Sequence, residues 1–347
     1  MRLLAFAIAS GLLALTASGC LDPRADDDPG ARSVEGHLVD RLAAQVPPLA
    51  WDGDAAVAWW EDFVVSYPKR DTYLPPNDPA TLHIVDSLEA LGLQVTLTHH
   101  PARAPLAGTP LPDEAPLSIH TIAAYKPGRT QPDHAIALGA HYDTQTGTIQ
   151  GAYDNGSGTA MVFDLCKQLA SVPMDKSLLC LFFDGEELGA LGSQAYLEDL
   201  PEGHPQIDVY LGYDMVGMDW PGYPAWKAYT WIGEEFAAEL FPFVNRTVHG
   251  VLGFPAEGAE VFDFNDRNSD EAIFAEAGIP TLRFAGGRRA GDYDQYHLPD
   301  DTAGHVYTVV GGRENFKAGF GTLVQESYTL ALMLDQTSLE ELRSDSA

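Results

Sequence analysis

The chain has 347 residues, with 50 acidic and 20 basic side chains and a formal net charge of −30. That balance argues against nucleic acid as a partner and favours cations, whether metal ions or protonated amines. Hydrophobic residues make up 45% and aromatics 10%, which is material for a globular core rather than a disordered chain.

The first segment reads as a processing signal. Arg2 is followed by an almost wholly apolar run over 3–15, then by Ala17-Ser18-Gly19-Cys20. The run is short for a membrane span, and small residues at its end favour cleavage. It resembles a bacterial lipoprotein signal over 1–20, with Cys20 as the lipidation site, although Ala17 stands where such signals usually carry Leu. Plain secretion is the alternative. Residues 21–33, rich in Asp, Pro and Arg, read as a flexible tether, and one domain is expected over 34–347.

Helical periodicity appears over 38–45, 55–65 and 81–91. Alternation over 94–98 and 117–125 predicts half-buried strands, separated by a Pro-rich loop over 101–116. A buried strand is expected over 134–141, then a glycine-rich turn and a helix over 158–170. The continuous apolar run at 177–183 has the composition of a parallel strand buried on both faces. A helix over 193–200, strands over 207–213 and 228–232, a helix over 234–248, a helix over 270–277, a strand over 281–284 and a long helix over 314–334 complete the order. Such alternation predicts a three-layer α/β/α architecture with a mixed, mostly parallel central sheet. Cys166 falls in a predicted helix and Cys180 in a predicted buried strand. Each reads as a packed apolar side chain rather than as half of a disulfide.

Chemistry-bearing residues gather where these strands end, which is where such folds bind ligands. The apolar run 178–183 leads into Asp184-Gly185-Glu186-Glu187. Two adjacent carboxylates there are costly unless a cation or a reaction uses them. His141-Tyr142-Asp143 ends an earlier strand, Asp154 lies in the glycine-rich turn, Asp214 follows the 207–213 strand, and Tyr296-His297 comes late in the chain. Imidazole with carboxylates is a ligand set for zinc and related ions. Each residue also has a bland reading: a lone His as a hydrogen-bonded structural group, Asp154 as a turn former, Asp214 as a loop cap, Tyr296 as a core aromatic.

Five motifs in order resolve the choice. His-Tyr-Asp, Tyr-Asp-Asn-Gly-Ser-Gly, Glu-Glu-Leu-Gly-x-Leu-Gly-Ser, Asp-Met-Val-Gly and Tyr-His-x-Pro-x-Asp-Thr resemble those of metallopeptidase family 28, the co-catalytic zinc aminopeptidases. The resemblance runs from about Thr81 to Thr302. It implies an enzyme that cleaves N-terminal residues from peptides with a metal-activated water and two zinc ions, and the processing signal makes it an exported one. By resemblance, His141 and Glu187 each hold one zinc, Asp154 bridges the pair, and Asp214 and His297 complete the set. Glu186 becomes the general base and Tyr296 the hydroxyl donor to the oxyanion. Asp143 and Asp270 support the ligands from outside, and a cis peptide is implied at Asp154-Asn155.

The chain departs from the family where Ser-Asp-His is usual, since it has Ser269-Asp270-Glu271. Arg288-Arg289 could bind a substrate carboxylate, or form a solvated basic turn. Side-chain preference is expected to be set by loops within 219–231 and 254–268. Two other readings stand beside the peptidase. Glutaminyl cyclases share the fold, typically use one zinc and have Trp in place of Tyr296, and the run from Phe182 to Glu187 looks like theirs. The third reading is a binding ectodomain that lost activity. The expected partners are peptides with a free N-terminus. Membrane contact is expected only through a lipid anchor, and the chain is expected to be a monomer.

Overall fold

The computed structural model describes residues 35–74, 77–101, 118–217, 228–255, 259–262, 269–286 and 293–345. The signal, Cys20 and the tether lie outside the described residues. So do Arg288-Arg289, nearly all of the Pro-rich loop and most of the two loops expected to set side-chain preference.

Three helices come first: α1 (Glu35–Ala43), α2 (Gly53–Ser66) and α3 (Asn77–Ala90). The chain then runs β1 (Gln94–Pro101), β2 (Ser118–Lys126), β3 (Gln131–His141), α4 (Gly156–Ala170), β4 (Lys176–Phe183), α5 (Leu191–Glu198) and β5 (Gln206–Tyr213). After these come β6 (Ala228–Ile232), α6 (Ala237–Asn245), β7 (Ala259–Phe262), α7 (Asp270–Glu276) and β8 (Thr281–Ala285). Helices α8 (Ala303–Val310), α9 (Arg313–Asp335) and α10 (Leu339–Asp345) close it.

Among the described residues the sheet has eight strands in the order β1-β2-β4-β3-β5-β8-β6-β7. Its centre, β4-β3-β5-β8, is parallel, while β1, β2 and the β6/β8 pairing are antiparallel. The sheet is therefore mixed and mostly parallel at its centre, as the alternating pattern predicts.

Every residue of β4 is buried, because both faces are covered. Leu178, Cys180 and Phe182 join the larger core with residues of α2, α4 and α9. Leu179, Leu181 and Phe183 join the smaller core, which also holds Tyr196 of α5 and Phe274 of α7. This is why the run is apolar throughout instead of alternating.

Element boundaries differ from expectation where local chemistry intervenes. The single helix expected over 234–248 is a short 3-10 turn, then α6 with Pro242 inside it, then a π-helical stretch, Arg246–Val251. Pro242 has no N–H to donate, so α6 forgoes its internal bond to the Ala238 carbonyl. Helix α8 was not expected, yet its signals are present. Thr302 caps it by accepting from His305 N, and Gly311 ends it at φ 79°. The short β7 and α10 were also missed.

The cysteine expectation is corrected. Cys166 of α4 and Cys180 of β4 form a disulfide, with Cα atoms 6.3 Å apart. Both are fully buried. Burial is common to packed thiols and disulfides. Only the docking of α4 across β4, on the face that carries Cys180, brings the pair within bonding range. Replacing both cysteines by Ala should cost about 2–4 kcal/mol, seen as a lower urea midpoint. An unchanged midpoint would show that the crosslink contributes nothing.

Glu326 of α9 is buried, with Oε1 accepting from Thr230 Oγ1 of β6 at 2.6 Å. Burial pushes its pKa from the ordinary 4.5 up to about 7. The unfolded chain therefore loses this proton before the folded chain does. Stability falls as pH rises across that interval and stays low above it. Glu326→Gln should match wild type at pH 4 and exceed it by about 3 kcal/mol at pH 8. Denaturant midpoints at the two pH values test this, and equal midpoints at pH 8 would refute it.

Candidate metal centre and active site

The ends of β3, β4, β5 and β8 meet at one edge of the sheet. β3 delivers His141 at its last position. Asp184-Gly185-Glu186-Glu187 follows β4, and Asp214 follows β5. The segment 293–302 adds Tyr296, His297 and Asp301.

Two groups of ligand-type side chains form there. His141, Glu186 and Asp214 make one, and Asp154, Glu187 and His297 make the other, with ligand atoms within 4.8 Å of one another in each. Asp154 joins them. Its Oδ1 lies 3.6 Å from His141 Nε2, and its Oδ2 lies 3.2 Å from His297 Nε2. Asp214 Oδ1 is 3.6 Å from His141 Nε2, and Glu187 Oε2 is 3.2 Å from His297 Nε2. Glu186 Oε2 is 3.9 Å from His141 Nε2. The six metal and base residues expected from sequence are thus brought together, and Tyr296 stands beside them.

The donor set fits divalent cations. Asp214 Oδ1 and Glu187 Oε1 are buried with no hydrogen-bond partner. A buried carboxylate oxygen without a partner is destabilising by the full desolvation penalty. Asp214 Oδ1 faces His141 Nε2, and Glu187 belongs to the group with Asp154 and His297, an arrangement that a bound cation would satisfy.

Uncharged and backbone groups fix part of this geometry. The peptide Asp154-Asn155 is cis. Asn155 Oδ1 accepts from Gly158 N at 2.9 Å and Met215 N at 3.1 Å, while its Nδ2 donates to Tyr213 O at 2.9 Å. One side chain therefore caps α4 and locks Asp154 against Asp214. Gly158 is required for that approach, since a Cβ there would meet Asn155 Oδ1 at 2.3 Å and Tyr213 O at 2.4 Å. Ser157 Oγ accepts from Val216 N and donates to Tyr153 O.

Asp143 was expected to orient His141. Its Oδ1 is 3.3 Å from His141 Nδ1, a close charge contact without the alignment of a hydrogen bond. Its firmer work is on the paired glutamates. Oδ1 accepts from Glu186 N at 3.1 Å, and Oδ2 from Glu187 N at 3.2 Å and Thr72 Oγ1 at 3.0 Å. Asp270 accepts from Ser193 Oγ at 2.7 Å, tying α7 to α5. Burial raises its pKa to about 7.

Three supporting residues were not singled out from sequence. Asp301 Oδ1 accepts from Tyr153 N and Tyr293 Oη, and its Oδ2 accepts from Asp154 N at 3.0 Å. It lies in the last motif, which was the available signal. Arg70 is fully buried and donates to the carbonyls of Tyr67, Tyr142, Gln150 and Gly151. Burial pulls its pKa down to about 10 against the attraction of Asp301, Asp143 and Asp154. Arg283 of β8 donates to Asp214 Oδ2 at 3.3 Å. Arg70 lies in an irregular loop and Arg283 in an apolar strand, so neither carried a pattern to read.

Electrostatics follow from burial among acids. Burial drives the Glu186 pKa well above the usual range, His141 opposes it, and Asp214, Glu187 and Asp270 add to it. Burial and Asp154 raise Glu187 to about 7, against His297. Burial would lower His141, but Glu186, Asp143 and Asp214 hold it well above its ordinary value. His297 likewise rises to about 10 through Asp154 and Glu187 despite burial. Asp214 falls to about 2, because His141 and Arg283 outweigh burial. Burial and the surrounding carboxylates raise the Tyr296 hydroxyl, which therefore keeps its proton at neutral pH. The Tyr296 ring stacks on His297 with centroids 3.7 Å apart.

A cavity of about 930 Å³ opens onto these groups and continues between α5 and α7, past Gln194, Leu197, Ala272 and Ile273. Such a volume admits several residues of a peptide.

Comparison with known proteins gives a consistent result. Residues 120–310 match the model of Peptidase family M28. Aminopeptidase YwaD of Bacillus subtilis is 32% identical over 202 residues, covering 54% of this chain and 40% of that protein. A probable lipoprotein aminopeptidase of Mycobacterium tuberculosis, LpqL, is 27% identical over 319 residues, covering 81% and 62%. The matches thus span less than two thirds of either relative. Among solved structures, a zinc aminopeptidase from Bacillus subtilis superposes with a TM-score of 0.68 at 18% identity, covering 84% of this chain and 97% of that one. Glutaminyl cyclase of Porphyromonas gingivalis gives 0.63 at 20% identity, covering 80% and 97%. At these identities the superpositions show the fold alone.

Proposed function

The chain belongs to peptidase family M28, and from that premise we propose that it is an exported zinc aminopeptidase that removes N-terminal residues from peptides. The observation that carries the reading is Asp154, whose two oxygens face two separate imidazole–carboxylate groups. His141 and Asp214 would hold one zinc, Glu187 and His297 the other, and Asp154 both. Zinc bound there would supply Lewis acidity to a water and to a peptide carbonyl.

The chain's own groups do the rest. Glu186 borders the cavity beside the two ligand groups. It takes a proton from the attacking water and returns it to the leaving amine. Tyr296, protonated and at the cavity wall, donates its hydroxyl to the developing oxyanion. Carboxylates around the cavity attract the substrate's protonated α-amine.

The deciding experiment counts zinc per chain and offers both an aminoacyl anilide and a glutaminyl peptide. Two zinc ions with anilide hydrolysis are expected. Pyroglutamate as the only product would assign the chain to the cyclases. Bound zinc without turnover of either substrate would leave a binding ectodomain.

Export is supported by the lipoprotein-like signal, the name of the mycobacterial relative and the Cys166–Cys180 disulfide, which persists in oxidising compartments. Cys20→Ser should release the chain from the membrane fraction. A chain that is soluble with Cys20 intact would remove the anchor from the proposal.

A further inference from the structure

The two oxygens of Asp214 face different groups. Oδ2 accepts from Arg283 Nη2 at 3.3 Å, while Oδ1 lies 3.6 Å from His141 Nε2. Arg283 is in the middle of β8, paired in register with Gly212 of β5, two residues before Asp214. That glycine leaves room on the shared face. A Cβ on Gly212 would come 2.9 Å from the Tyr210 ring and 3.3 Å from Glu271 Cβ. Glu271 of α7 approaches Nη1 of the same guanidinium at 3.7 Å.

Arg283 is 8% exposed and Glu271 1%. Burying a guanidinium inside a sheet is costly unless carboxylates compensate it, and here two elements each supply one. Glu271 stands where the family often has His. Asp214 Oδ1 and Glu187 Oε1 alike lack a hydrogen-bond partner; the second oxygen of Asp214 meets the guanidinium, while that of Glu187 lies 3.2 Å from His297 Nε2.

We propose that Arg283, braced by Glu271, is a positioning residue that fixes Asp214 with Oδ1 toward His141 and so sets how tightly that position holds its zinc, without acting on the Glu187–His297 position. The inference rests on the two-zinc reading above. A planar guanidinium restrains carboxylate rotation better than a solvated partner would. The negative charge of Glu271 offsets the guanidinium, so the brace adds direction with little net repulsion of a cation. Partners of this outer kind typically contribute about 10–100-fold to metal affinity.

The test is zinc titration against a chromophoric chelator, with no substrate present. In Arg283→Met, one of the two zinc equivalents should weaken about 10–100-fold and the other should stay within about twofold of wild type. Arg283→Lys should recover part of the loss, since Lys restores the charge and a donor. Adding Arg283→Met to His141→Ala should leave the remaining equivalent unchanged, because the position that Arg283 serves is already lost. If Arg283→Met does not fold, Arg283→Met with Glu271→Met removes the whole buried pair and carries the same measurement. A wild type that binds fewer than two zinc ions would overturn the two-zinc reading and this inference with it. A wild type that binds two, with variants losing neither equivalent or both alike, would overturn the inference alone.

Discussion

Glu186→Gln should lower kcat by about 10²–10⁴-fold while zinc content stays at the wild-type level. The substitution keeps the shape of the side chain and removes its capacity to accept a proton. Glu186 N would still donate to Asp143 Oδ1, so the segment that carries Glu187 stays in place. The proposed ligands His141, Asp154, Glu187, Asp214 and His297 are untouched. Metal analysis and steady-state kinetics on one preparation separate the outcomes. A variant that loses zinc but keeps its rate per bound ion would make Glu186 a ligand, and the base would have to be sought elsewhere. That outcome is worth testing because Glu186, His141 and Asp214 lie close enough together to form a ligand group by themselves.

Changing Asp154 should have the broadest effect of any single ligand. Asp154→Asn removes the charge that faces both imidazoles, so both zinc equivalents should weaken. The expected loss exceeds about 100-fold, the upper range for outer partners. His141→Ala should instead remove about one equivalent and leave the Glu187–His297 position occupied. The contrast is the informative result, because only a shared carboxylate couples two positions in this way. Equal and partial losses in both variants would argue for a single ion. Folding controls are needed for Asp154→Asn, because Asp154 N donates to Asp301 and the neighbouring Asn155 caps α4.

The sequence was most legible where one residue type meets one local pattern. The alternation of apolar strands and amphipathic helices specified the layered sheet. β4, buried on both faces, could be read from its unbroken apolar run. Glu186-Glu187 could be flagged by their place after that run, and His141, Asp154, Asp214, Tyr296 and His297 by motifs that the family resemblance tied together. Less was legible where chemistry depends on a partner remote in sequence. Asp143 lies beside His141 in the chain, yet its hydrogen bonds come from the backbone of Glu186 and Glu187 and the hydroxyl of Thr72. Asp301 sat inside a quoted motif without a role, because its partners Tyr153 and Asp154 are far away in sequence. Thr302 and Gly311 bound α8, but its eight residues are too short a run for helical periodicity to stand out.

The sequence by itself determined the layer order and the buried strand, and offered the acids and imidazoles that the family resemblance then assigned to the candidate site. These are local properties, fixed by side-chain periodicity and by what a residue can ligate or protonate. The tertiary structure decided which groups share a cation, because that depends on the parallel register of β3, β4, β5 and β8 bringing their ends to one edge. It joined Cys166 to Cys180 through the docking of α4 on β4. It also placed Arg70 and Arg283, two buried cations that no pattern announces, against carbonyls and carboxylates drawn from several elements. Burial of a charge is tolerated only when distant parts of the chain compensate it, so such residues become readable only once the fold has brought their partners to them.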